Sequence, residues 1–177
     1  MSILIILLVF LQMNTLVLYD FSKADKLNGW FIVNDDVMGG RSTCSFSTNE
    51  NGNAVFEGQI SLDNYGGFSS VHYRFNSINT KGFRHISLRI KGDGKRYQLR
   101  IKIQASDYYS YIAYFETTGD WQTVKVPLAA MYPSFRGRTL DMPNFEGGRI
   151  EEIALLIGNK TEENFRLEID RIELTED

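Results

Sequence analysis

Asp35 and Asp36 stand side by side in the stretch Asn34-Asp35-Asp36-Val37-Met38-Gly39-Gly40-Arg41-Ser42. Neighbouring residues on an extended chain point to opposite sides, so these carboxylates cannot by themselves form a glycosidase acid and nucleophile pair. One of them, with backbone carbonyls, could hold a structural calcium ion, which takes about six to eight oxygens. The alternative is a turn in which Gly39 and Gly40 supply conformational freedom. Nucleophilic hydrolysis asks for an exposed serine activated by a histidine, often on a G-x-S-x-G elbow. Gly67-Phe68-Ser69-Ser70-Val71 lacks the second glycine, and nothing around it supports Ser69 with His72 or His85 as a triad. Gly94-Lys95 lacks the earlier glycine and the following hydroxyl of a phosphate loop, and no G-x-G-x-x-G opens a helix after a strand. A nicotinamide cofactor is therefore not expected. Tyr108, Tyr109, Tyr111, Tyr114 and Trp121 could make a stacking platform for sugar rings, or fill a sandwich core.

The elements that must position these residues belong to a chain of 177 residues, the size of one domain. Hydrophobic residues make up 43% and charged residues 23%, and a net charge of −3 gives no bulk attraction to nucleic acid. The lone Cys44 excludes an intrachain disulfide, and with two histidines it cannot fill a structural zinc site without carboxylates. Ile3 to Leu11 is too short an apolar run for a membrane span and suits the core of a secretory leader over residues 1–15. No basic residue precedes the run and no small-x-small site follows it, which leaves a buried N-terminal segment as the alternative. Residues 16–177 then form the domain.

From Leu16 onward the dominant period is two. Ala54, Phe56, Gly58, Ile60 and Leu62 fall on one face, with Glu57, Gln59 and Ser61 opposite, as a half-buried strand requires. Further strands are predicted over 16–21, 30–33, 42–48, 68–75, 85–91, 97–104, 110–115, 122–126, 153–158 and 165–174. Turn signals such as Asn51-Gly52, Asp93-Gly94 and Gly119-Asp120 separate them. If Asp93-Gly94 is a two-residue hairpin loop, Ile90 opposes Tyr97, Leu88 opposes Leu99 and Ile86 opposes Ile101. One basic face would then carry Arg89, Lys91, Arg100 and Lys102. Two questions stay open in the pattern. A one-residue slip decides whether Tyr109, Tyr111 and Phe115 or Ile112 and Tyr114 face the core. Ile150, Ile153, Ala154 and Ile157 fit helical spacing, although an all-β setting favours a strand. Many short strands at regular spacing predict an antiparallel sandwich or barrel.

Taken together, NDDVMGGRS (34–42), GGFSSVHYRF (66–75), KGDGKRYQLRI (91–101), YFETTGDWQTVKVPL (114–128), YPSFRGR (132–138) and LLIGNK (155–160) resemble the complex I intermediate-associated protein 30 family. The resemblance runs from about Leu16 to the C-terminus. It implies an all-β, antiparallel jelly-roll sandwich of the galactose-binding-domain-like type, akin in fold to several carbohydrate-binding modules. It also implies a non-catalytic assembly-factor or chaperone-like role, with mitochondrial members assisting assembly of NADH:ubiquinone oxidoreductase. The length, and the absence of an Arg-rich transit peptide, make this sequence similar to compact bacterial members. An exported protein could not serve complex I subunits on the matrix or cytoplasmic side.

The family supplies no catalytic residues to carry over. The candidate ligand- or partner-binding residues are Asp35, Asp36, Gly39, Gly40, Arg41, Ser69, Ser70, Arg100, Tyr111 and Arg136. The expected partner is a protein, or alternatively a glycan bound by an exported carbohydrate-binding module, with no nucleic acid, no integral membrane span and no cofactor beyond a structural calcium ion. Arg41 and Arg136 are expected at one loop end, either anchoring loops through carboxylates such as Asp36 or meeting a ligand. The leader sets the location as periplasmic or secreted, and its absence as cytoplasmic. Sequencing the mature N-terminus in the native host checks this: cleavage near residues 12–16 is expected, and an intact Met1 would remove the export assignment.

Overall fold

The computed structural model describes residues 14–23 and 27–177. The leader expected over residues 1–15 lies outside them except for Asn14 and Thr15. The strands are β1 (Thr15–Asp20), β2 (Trp30–Asn34), β3 (Thr43–Thr48), β4 (Ala54–Ile60), β5 (Ser69–Asn79), β6 (His85–Lys91), β7 (Arg96–Lys102), β8 (Ser110–Glu116), β9 (Trp121–Pro127), β10 (Tyr132–Phe135), β11 (Arg138–Thr139), β12 (Arg149–Ile157) and β13 (Glu163–Thr175). Among the described residues there is no α-helix, and no helix long and apolar enough to cross a membrane. A six-stranded sheet runs β3-β4-β13-β6-β9 with β1 also on β13, and a seven-stranded sheet runs β11-β10-β8-β7-β12-β5-β2. Every pairing is antiparallel, which makes the predicted sandwich.

The hairpin expected around Asp93-Gly94 is not made. Instead β6 pairs with β13 and β9, β7 pairs with β8 and β12, and residues 92–95 carry the chain from one sheet to the other. Ile86, Leu88 and Ile90 and the set Tyr97, Leu99 and Ile101 are nonetheless all buried in one core. Alternation states which face of a strand is dry; it does not state whether an apolar partner lies beside it in the sheet or across the sandwich. The single basic face therefore divides, with Arg89 and Lys91 outside one sheet and Arg100 and Lys102 outside the other.

The helical-looking spacing in β12 also has a strand explanation. Its register with β5 shifts between Ile150 and Glu152, where one residue of β12, Glu151, lies opposite three of β5, residues 75–77. Ile150 and Ile153 both point inward despite lying three apart, and Glu152 is turned to the outer face. In β13 a second shift, between Ile169 and Arg171, keeps Ile169 and Ile172 both in the core. The sequence pattern missed β10 and β11, where Pro133 and brevity hide the strand signal. Arg136 (φ 49) and Gly137 (φ 75) form their two-residue turn, with Phe135 paired to Arg138.

One buried carboxylate ties the edge of the sandwich together. Asp35 is fully buried at the start of the 3-10 turn Asp35–Met38 that follows β2. It accepts hydrogen bonds from Ser42 N (3.0 Å) and the Ser42 hydroxyl, just before β3, and from Gly67 N (2.6 Å) and Phe68 N (3.2 Å), just before β5. A Cβ on Gly40 would lie 2.3 Å from one Asp35 oxygen, and one on Gly66 would lie 2.6 Å from the other. These glycines are small because the carboxylate fills the space. Burial pushes the Asp35 pKa up, but the donors from Ser42, Gly67 and Phe68 outweigh it and hold the group below the usual carboxylate range.

Asp35→Ala is expected to cost at least about 2 kcal/mol, since it strands buried donors, and to lower the melting temperature by roughly 4 to 8 °C. Because the folded pKa is depressed, Asp35's contribution is present above the unfolded pKa and fades as pH falls through the folded one. Urea unfolding of the wild type and Asp35→Ala at several pH values should show their difference shrinking only below the ordinary carboxylate range.

Candidate functional site

The outer face of the seven-stranded sheet is assembled by strand register. One row across it reads Tyr132, Ile112, Arg100, Ala154, His72 and Phe31, each residue opposite the next on the neighbouring strand. Beside it run Tyr114, Gln98, Leu156, Ser70 and Val33 on one side, and Lys102, Glu152 and Arg74 on the other. A face turned away from the core would ordinarily be wet. Here Ser70 (1%), Glu152 (2%), Ala154 (2%), Ile112 (3%) and Gln98 (6%) are almost inaccessible, because their neighbours on the face crowd over them.

Two polar chains organise the face. In the first, Glu152 accepts from Arg74 Nε (2.6 Å) and lies 2.9 Å from His72 Nδ1, while His72 Nε2 is 2.9 Å from Ser70 Oγ. Arg74 also lies over the Phe31 ring at 4.7 Å. Desolvation pushes the Glu152 pKa up, yet the hydrogen bonds from His72 and Arg74 prevail and hold it below its ordinary value. In the second chain, the Gln98 amide donates to the Tyr114 hydroxyl (3.0 Å), and its carbonyl oxygen accepts from Arg100 Nε (3.0 Å) and Nη2 (2.7 Å). Arg96 covers the Tyr114 ring at 4.4 Å. Desolvation lowers the Arg100 pKa from its ordinary value.

Ser70, His72 and Glu152 have the order of a hydrolase relay, but the serine is sealed in. Its hydroxyl has one proton, and Val33 O lies 2.7 Å away to receive it. Thiolate chemistry fares no better: desolvation pushes the half-buried Cys44 thiol up to about 11, and the thiol donates to Asn34 Oδ1 at 3.1 Å.

The other sequence candidates scatter. Ser69 is buried on the inner side, beside Cys44. Tyr111 is a core residue, edge-on to Phe145 at 5.4 Å, so it does not line the outer face. The one-residue ambiguity in β8 thus resolves with Tyr111 and Phe115 inward and Tyr114 outward. Tyr109 packs against the core and Trp121 belongs to the other sheet, where it helps line an open cleft of about 330 Å³ with Arg89, Asp170, Asn51 and Asn53. The five-ring platform is not formed. Arg41 meets Asp63 at 3.6 Å with both side chains exposed, rather than Asp36. Arg136 lies over its neighbour Phe135 at 5.3 Å, in the hairpin at the sheet edge opposite β2. Arg41 and Arg136 therefore do not share a loop end. Asp36 and Gly39 are exposed in the turn, and the lone pairs a calcium ion would need from Asp35 are taken by its four donors. Among the described residues no three His, Cys, Asp or Glu side chains gather as a metal site.

Of the sequence candidates, Ser70 and Arg100 lie on the organised face. Sequence reasoning missed His72, Arg74, Gln98, Tyr132 and Glu152 as a group. Ser70, His72 and Arg74 alternate along one strand, which is a signal for a polar face, but Glu152 joins them from 80 residues away.

The sequence model of the complex I intermediate-associated protein 30 family matches residues 19–169. A Drosophila melanogaster protein named complex I intermediate-associated protein 30, mitochondrial, is 26% identical over 76% of this chain and 53% of its own length. A Caenorhabditis elegans protein named as probably the same is 28% identical over 87% of this chain and 52% of its own length. The chain thus spans about half the length of these curated relatives. Among solved structures, a family 11 carbohydrate-binding module from a cellulosomal cellulase of Clostridium thermocellum superposes with a TM-score of 0.66 at 15% identity, covering 91% of this chain and 94% of that one. An agarase superposes with a TM-score of 0.58 at 14% identity, over 92% of this chain and 24% of the enzyme. Both likenesses establish the jelly-roll sandwich.

Glu152→Gln should leave His72 and Arg74 without their anion. Because Arg74 is exposed, the expected cost is about 2 kcal/mol, below that of a fully buried pair. The depressed pKa means that this contribution exists above the unfolded pKa and is lost as pH falls through the folded one. The Glu152→Gln penalty measured by denaturant unfolding should therefore be full at pH 7 and vanish in acid.

Proposed function

The chain belongs to the complex I intermediate-associated protein 30 family, and from that membership we propose a non-catalytic binding module that holds a protein partner on the outer face of its seven-stranded sheet. The observation that carries this reading is the ordered, largely desolvated set of polar side chains on a face that no described element covers. Fixing Arg, His, Gln and Glu in hydrogen-bonded positions before a partner arrives lowers the entropy lost on binding. Arg and Tyr are also the residue types on which binding energy concentrates. Catalysis is not part of the reading, because the one serine beside a histidine is closed to substrate and its proton is engaged. The relatives' names supply the assembly role and the mitochondrial setting, and both come to this chain as part of the proposal.

A second reading has its own support. Phe31 and Tyr132 stand at opposite ends of one row of side chains on a jelly-roll sheet, as ring platforms for an extended sugar chain would. Affinity capture with the full chain from native-host extract, beside retention in gels containing β-glucans, separates the two. Phe31→Ala with Tyr132→Ala is expected to reduce recovery of a reproducible protein partner by about ten-fold or more, with the melting temperature little changed. Undiminished capture would remove the face from the proposal, and glucan retention without a protein partner would favour the second reading.

A further inference from the structure

Arg100 lies on β7, the middle strand of the seven-stranded sheet, and at the centre of its outer face. Its Nε and one Nη2 hydrogen are spent on the Gln98 carbonyl oxygen, a neutral acceptor. The second Nη2 hydrogen and both Nη1 hydrogens have no acceptor among the described residues, and no carboxylate pairs with this guanidinium. Glu152 is the nearest acid along β12, and it is already committed to His72 and Arg74. The side chain is not free to wander to find an anion, since Gln98 grips it and Tyr114 in turn fixes the Gln98 amide. Directly beside Arg100 on β12 stands Ala154, a small, buried side chain that brings no hydrogen-bonding group to the guanidinium. Arg96 and Lys102 lie on the same strand, so the middle of the face carries positive charge.

We propose that Arg100 is the anchor for a carboxylate carried by an extended acidic segment of a protein partner, lying along the middle of the outer face. This rests on the binding reading given above and states the chemistry of the occupant. A guanidinium held with open donors forks onto a carboxylate with two parallel hydrogen bonds, a geometry that lysine does not reproduce. The flanking cations add attraction that salt weakens.

The test uses the full chain and a short blocked, fluorescein-labelled peptide alternating Glu and Val, with its Gln counterpart and an oligoglucuronate for comparison, read by anisotropy. The Glu peptide should bind wild type about ten-fold or more tightly than the Gln peptide, and Arg100→Met or Arg100→Lys should abolish that preference. Lys125→Ala, on the other sheet, should leave it intact. The Arg100 variants should melt close to wild type, so that the lost preference reflects the lost guanidinium fork and not a generally damaged face. Equal affinity for the Glu and Gln peptides, or a preference unchanged in the Arg100 variants, overturns the proposal. A stronger response to oligoglucuronate than to the Glu peptide overturns the protein source. If the Arg100 variants are silent while Phe31→Ala with Tyr132→Ala still loses the captured partner, only this inference falls. If both sets are silent, the binding reading falls with it.

Discussion

A carboxylate taken fully out of water must find donors, and Asp35 finds them on two separate segments, at Ser42 and at Gly67 and Phe68. Its oxygens are met from the starts of β3 and β5, while its own backbone ends β2. The chain crosses between sheets from β2 to β3 and again from β4 to β5. Both crossings are fastened to one side chain, directly before β3 and directly before β5. Ser70, His72 and Arg74 lie on the outer face and Ser69, Val71 and Tyr73 on the inner one, an alternation that β5 keeps from its first residue. The acidic, glycine-rich sequence around it is scaffolding for the face rather than part of the face.

The face inherits a tension from the same physics. Polar groups shielded from water must be paired, and the Glu152 side meets that demand, with acid, imidazole and guanidinium in contact. The Arg100 side meets it with a neutral amide, so the two halves of one surface differ in how completely their charges are answered. The register shift between β12 and β5 goes with the answered half, since across it Glu152 faces outward while Ile150 and Ile153 both stay in the core.

Much of the fold was legible because burial leaves a period-two trace, as in Ile86, Leu88 and Ile90, where the predicted bounds of β6 match the observed ones. Strand partners were not legible, because Leu88 and Leu99 satisfy the same pattern whether they lie side by side or across the core. A register shift against β5 counterfeited helical spacing in β12, and Pro133 masked β10. The site was less legible still. Arg100 and Ser70 stood out by residue type, but the acid that completes the histidine's surroundings arrives by pairing β12 with β5. The residues that were conspicuous in sequence, Arg41 and Arg136, owe their neighbours to a surface ion pair and a tight turn.

Strand β13 follows every other strand in the chain and yet lies inside the six-stranded sheet, with β1 and β4 along one edge and β6 along the other. During synthesis those strands must wait, with their hydrogen-bonding edges open, until the last of them leaves the ribosome. Asn14 then meets Glu176, and Thr15 meets Thr175, closing a loop of nearly the whole chain. Such late, long-range closure makes folding slow and the nascent protein prone to aberrant strand pairing. A domain built this way completes its six-stranded sheet only when its final strand is in place.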